Sequence, residues 1–113
     1  MSDSYRLIIL PEAQQDIRSI VLYIARELAA PQAALNLQDE FERKIQSLAI
    51  MAKRVKTVDE HPWKEAGVRR TRVKNYYMYF LVDDEERIVK VIAVIYSRRD
   101  QTKQMTDRKM DEL

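Results

Sequence analysis

Two apolar stripes at helical spacing, separated by a three-residue break, constrain this chain more than any other feature. Ala13, Ile17, Ile20, Val21, Ile24 and Leu28 recur at steps of three and four or nearly so, and Ala34, Leu37, Phe41, Ile45, Leu48 and Ala52 do the same. Such steps place each set on one face of a helix, and neither segment holds an internal Gly or Pro to interrupt it. The link at Ala29, Ala30 and Pro31 is so short that the two helices must turn back on each other as an antiparallel hairpin. A hairpin with two apolar stripes needs a further surface to cover them.

That surface is supplied by strands. Residues 5–10 (YRLIIL) form a short apolar run that stops at Pro11, which suits the first position of the helix because its missing N–H has no intrahelical partner there. Residues 53–67 lose the helical period and carry Pro62 and the single glycine, Gly67, so they read as a loop. Three strand-like runs follow at 68–74, 76–82 and 87–97, joined at Lys74-Asn75 and across the polar link 83–86. Links this tight give an antiparallel meander. The last run, RIVKVIAVIYS, is almost wholly apolar and β-branched, as a central strand covered on both faces should be. Asp100 is placed to cap a short C-terminal helix reaching about Asp111. The expected fold is therefore one α+β domain spanning residues 1–113, with a single sheet, the helices on one face and the other face open.

Composition narrows the chemistry. With 113 residues, 46% hydrophobic and 34% charged, the chain has the balance of a folded globular domain. No apolar run approaches the roughly 18 to 20 residues that span a bilayer, and the start MSDSYR lacks a secretory pattern, so a cytoplasmic protein without membrane contact is expected. The absence of cysteine excludes disulfides, thiolate metal sites and a Cys nucleophile, and His61 is the one histidine. No metal site and no cofactor is expected. His61 sits in a Pro-containing loop with no Ser or Asp motif beside it, which reads as a structural or solvated histidine, and Trp63 reads as the pin that holds that loop to the domain.

The net charge of +2 hides an asymmetry. Residues 1–52 hold five basic and seven acidic side chains, whereas residues 53–82 hold eight basic against three acidic. A field of that sign attracts phosphates or acidic protein segments, although a solvated basic loop and edge strand gives the same count. Because strand side chains alternate, Arg70, Arg72 and Lys74 share one side, and Arg69, Thr71 and Val73 the other. On the last strand, Lys90, Ile92, Val94, Tyr96 and Arg98 share a side, followed by Arg99. If these sides coincide on the open face, they form a basic cleft with phenolic groups beside it. The candidate target-binding or nucleic-acid-binding residues are then Arg69, Arg70, Arg72, Lys74, Arg98 and Arg99. For metal-free RNA cleavage the candidates are Arg72, Tyr96, Arg98 and Arg99, since arginines stabilise charge on the phosphorus oxygens and a basic or phenolic group helps deprotonate a 2′-OH. The run YYMYF at 76–80 reads equally as aromatic strand packing.

The element order, the segment YIARELAAPQAALNL, the hairpin VRRTRVKNYYMYFLVDD and the ending VKVIAVIYSRRDQ together resemble the RelE/ParE superfamily, toxins of bacterial type II toxin-antitoxin systems that include plasmid stabilisation proteins. The resemblance spans nearly the whole chain. It implies growth inhibition, a cognate antitoxin that wraps the toxin in a hetero-oligomer, and one of two targets. RelE-like members are ribosome-dependent mRNA endonucleases (mRNA interferases), and ParE-like members poison DNA gyrase. In the RelE-like pattern an arginine follows the tyrosine that opens the middle strand, where this chain has Tyr77, and the late tyrosine of that pattern falls near Met105. The long hairpin with its Ala-Pro joint and the SRRD ending look more ParE-like, so a gyrase inhibitor is expected first, an mRNA endonuclease second, and a non-toxic binding module of the same fold third.

Overall fold

In the computed structural model, which describes residues 4–108, the elements follow the expected order. They are β1 (Arg6–Ile9), α1 (Pro11–Leu22), α2 (Pro31–Met51), β2 (Arg69–Val73), β3 (Tyr76–Asp83), β4 (Ile88–Tyr96) and α3 (Gln101–Asp107). Pro11 and Pro31 occupy the first turns of their helices, where a ring without an N–H costs nothing. The stripe expected to run as one helix to Leu28 instead widens beyond Leu22 into a π turn, Tyr23–Glu27. Leu28 N reaches Tyr23 O at 3.2 Å and Ala29 takes a left-handed φ of 49°. That turn and the reversal after it bring Pro31 into place for α2.

The sheet runs in the order β1-β4-β3-β2, with β1 parallel to β4 and the other pairs antiparallel. The last strand is central, as its almost wholly apolar character required. The hairpin turn at Lys74-Asn75 carries a left-handed Lys74, φ 53°. One departure changes the faces. Tyr79 pairs with Ala93 but Phe80 pairs with Val91, so Ile92 is an extra residue in β4, a bulge that reverses the alternation. Val89, Val91 and Val94 accordingly face the helices, whereas Ile92, Ala93 and Ile95 face the other way. Val94 and Tyr96 therefore do not share a side with Ile92 as simple alternation predicts.

There are two cores. The larger lies between the helices and the sheet, where Ala13, Leu37, Phe41, Ile45 and Leu48 meet Met78, Phe80, Val89 and Val91. The second corrects the expectation of an open face. Val58 and Trp63 from the long loop and Met105 from α3 pack on Tyr79, Ile92, Ala93 and Ile95, because an apolar sheet face left to water would forfeit roughly 25 cal/mol per Å². Trp63 is only 7% exposed, so it does pin the loop.

α3 begins as predicted. Asp100 Oδ1 accepts from Lys103 N at 3.1 Å, and the reading that extends this helix to Asp111 runs past the described residues. Replacing Asp100 by alanine is expected to destabilise α3 by about 1 kcal/mol. Faster amide exchange confined to Gln101–Asp107 would show it, and unchanged exchange there would refute the cap. Among the described residues no helix is long and apolar enough to cross a membrane.

Candidate functional site

The cations of the C-terminal half divide among three places. Arg69 turns to the helix side, where Nη1 donates to Val55 O and, at 3.4 Å, to Lys53 O. It therefore fastens the turn that follows α2 to β2, and its Nε is buried without a partner among the described residues. Arg70 and Arg72 project from the opposite face and flank the Tyr77 ring, 4.2 and 5.8 Å from its centroid. Arg72 Nε donates to Lys74 O at 2.8 Å, which leaves its terminal nitrogens free to reach outward. Arg70 lies 3.9 Å from Glu60. Burial works against its charge, but a hydrogen bond to Tyr79 and the nearby Tyr79, Tyr77 and Glu60 outweigh that and hold its pKa above the ordinary value. Tyr79 is itself held neutral by burial, and its hydroxyl donates to Gln101 Oε1 at 2.8 Å.

Tyr96 belongs to the helix side. Its ring packs on Tyr76 at 5.6 Å, and Tyr76 meets the edge of Phe41 at 5.7 Å. The expectation that Tyr96 joins Arg70 and Arg72 on one face is thus overturned by the bulge in β4. Burial, then the neighbouring Tyr96 and Tyr23, raises the Tyr76 pKa, so that phenol stays protonated. Lys74 sits at the hairpin turn with Nζ 3.5 Å from Glu40, and Arg98 and Arg99 are exposed in the turn beyond β4. The positive residues expected on one wall therefore lie on two faces and one end of the sheet. His61 lies in an exposed turn, its Nδ1 against the Glu65 carboxylate. Among the described residues no three His, Asp or Glu side chains gather as a metal site would require.

A second feature has no counterpart in the sequence reading. Between the tip of the helical hairpin and the end of the sheet lies an open cleft of about 1120 Å³, with Tyr23, Ile24, Leu28, Tyr76 and Tyr96 on its walls and Lys74, Arg99 and Arg108 at its border. Tyr23 and Leu28 are 56% and 57% exposed, and Tyr23 falls off the apolar stripe of the helical period. The cleft is bounded on one side by a tie between distant parts of the chain. Arg108 donates from Nη1 and Nη2 to the two Asp16 oxygens at 2.7 and 2.8 Å, and Val94 N donates to Asp16 Oδ2 at 2.9 Å. Asp16 thereby occupies the place a neighbouring strand would take, since β1 pairs with β4 only as far as Val91.

Comparison with known proteins gives a consistent picture. A family model described as the ParE toxin of type II toxin-antitoxin system, parDE, matches residues 7–101. Sequence comparison with curated proteins finds no match. Among solved structures, the chromosomal ParDE system of P. aeruginosa aligns with a TM-score of 0.68 at 17% identity, covering 84% of this chain and 98% of that one. A mutant of the E. coli toxin RelE in the free state aligns at 0.63 and 13% identity, covering 97% and 98%. The toxin-antitoxin complex RelBE2 of Mycobacterium tuberculosis aligns at 0.59 and 18%, covering 85% and 94%. These likenesses establish a shared fold, while the family model extends over most of the sequence, from β1 to the start of α3. On that match, the chain belongs to the ParE toxin family of type II toxin-antitoxin systems.

Proposed function

We propose that this toxin arrests growth by poisoning DNA gyrase and is neutralised by a cognate antitoxin that covers the cleft beside the helical hairpin. The observation that carries the reading is the ParE family match over residues 7–101. The antitoxin part draws on the apolar walls of that cleft and on Arg99, which lines it beside the carboxylate-paired Lys74 and Arg108; these suit an apolar segment with an acidic flank.

The alternative of metal-free RNA cleavage needs phenolic and guanidinium groups converging on one phosphate. Arg72 stands with Tyr77 on one face of the sheet and Tyr96 with Tyr76 on the other, so Arg72 does not join Tyr96 and Arg99, which line the cleft together. That separation weighs against a ribonuclease.

The test is expression of the chain alone, with DNA and RNA read separately. Growth arrest should come with a DNA-damage response, and the purified toxin added to gyrase, plasmid and ATP should leave linear DNA after detergent and protease. Truncated messages on ribosomes with intact DNA would replace this reading by the endonuclease. Normal growth would leave a binding module.

A further inference from the structure

We propose that the outer edge of β2 is a contact surface for the backbone of duplex DNA, formed by Lys56, Arg70, Arg72, Lys74 and Arg98. The proposal rests on the gyrase reading, because gyrase holds its DNA as a duplex that a bound toxin would meet. Thr57 pairs with Arg69 in an antiparallel bridge, which sets the exposed Lys56 beside Arg70 across the strand edge. Arg70 and Arg72 follow on one face at alternate positions, about 6 to 7 Å apart along a strand. Lys74 comes next at the turn, and Ser97 N donates to Asn75 O at 2.8 Å, which brings the turn carrying Arg98 against it. Glu60, 3.9 Å from Arg70, and Glu40, 3.5 Å from Lys74, are the acidic partners of this row. Four of the eight basic residues of 53–82, Lys56, Arg70, Arg72 and Lys74, thus follow one another along this edge, while Arg69 turns to the helix side.

The kind of partner follows from what this edge lacks. A protein interface needs apolar anchors at its centre, but among the described residues the exposed large apolar side chains lie on the helical hairpin and at Tyr96, on the other face of the sheet. Tyr96 nears only the Lys74 end of the row. Nucleic-acid interfaces are more polar and far more positive. Single-stranded RNA or DNA is held chiefly by bases stacking on open aromatic rings. Here the one ring in the row, Tyr77, already has the Arg70 guanidinium against it at 4.2 Å. A row of cations without a free ring suits phosphates on a duplex. Arg72 is also pre-set, its Nε fixed on Lys74 O with the rest of its fork facing out, which lowers the ordering cost of a bidentate phosphate contact.

The experiment is fluorescence anisotropy of a labelled 20-base-pair blunt DNA duplex titrated with the full-length toxin across a salt series. Non-specific binding in the range of about 10⁻⁶ to 10⁻⁴ M is expected, with log K falling by about 0.9 per log salt for each phosphate neutralised. The triple variant K56Q/R72Q/R98Q should bind at least tenfold more weakly with a salt slope shallower by about two to three. The double variant K56Q/R98Q, changed only in loop and turn positions, should lose about two in slope and guards against misfolding of the triple. R18Q/R26Q/R43Q, with the same loss of charge on the helices, should bind as the parent does.

Absence of duplex binding at about 50 mM salt, equal weakening by the helix triple, or tighter binding of a single-stranded RNA of the same length would overturn the assignment. Gyrase trapping by the same preparations separates the two proposals. Trapping by a toxin that does not bind duplex sinks the DNA contact and spares the gyrase reading, whereas duplex binding through this edge without trapping does the reverse.

Discussion

Trp63→Ala is expected to lower the unfolding free energy by about 3 to 4 kcal/mol. The indole is 7% exposed and packs in the second core with Val58, Val68, Tyr79, Ile92 and Met105. The loop that carries it has little regular structure of its own, and besides the 57–69 bridge, backbone bonds to Val68 and the ties of Arg69 and Arg70 to Val55 O and Glu60 it is held by this packing. Removing the ring leaves a void that the sheet, ordered by its ladders, cannot close, so the lost transfer energy and the cavity add together. Met105 is 2% exposed in the same cluster, and α3 should loosen with the loop. Chemical denaturation followed by far-UV circular dichroism measures the loss, and amide exchange at Gln101–Asp107 reports the coupling. A cost under about 1 kcal/mol, the level of an ordinary surface change, would show that the second face does not depend on this residue.

That second core also marks where the sequence was readable and where it was not. The two helices, the hairpin at Lys74-Asn75 and the Asp100 cap follow from local pattern, because period, turn chemistry and capping are set within a few residues. The covering of the far face is not a local property. Val58, Trp63 and Val68 recur at a step of five, which fits neither the helical nor the strand period, so only the size and apolarity of the indole pointed to burial. The bulge at Ile92 is silent in sequence because the inserted residue and its neighbours are all apolar and no glycine marks the place. Alternation counted through it put Tyr96 on the side of Ile92, and the condition on which the basic cleft depended, that this side coincide with that of Arg70 and Arg72 at Tyr96, fails there. The row of cations on β2 was legible as a charge surplus. Its division was not, since whether an arginine serves packing, as Arg69 does at Val55 O, or faces solvent depends on which element lies across from it. The cleft escaped for a related reason, being made by the π turn and the sheet end, which meet only in the folded chain.

The tie between Asp16 and Arg108 should show the strongest coupling of the ion pairs among the described residues. Asp16→Ala is expected to cost about 3 kcal/mol, because it strands a guanidinium that is only 16% exposed and leaves the Val94 N–H at a strand edge unanswered. Arg108→Met should cost somewhat less, about 2 kcal/mol, since the Asp16 carboxylate keeps the Val94 N–H and a methionine retains the packing of the stem. The double variant should be little worse than Asp16→Ala alone, giving a coupling energy near 2 kcal/mol in a double-mutant cycle. Low exposure makes the pair insensitive to screening, so the coupling should change little between about 0.05 and 0.5 M salt, where surface pairs lose most of theirs. Additive single losses would mean that Asp16 acts only on Val94 and that α3 is held by Met105 and Gln101 without it. The expected coupling would instead make this carboxylate the point at which α1, the open edge of β4 and the end of α3 are fixed together, and with them one side of the cleft.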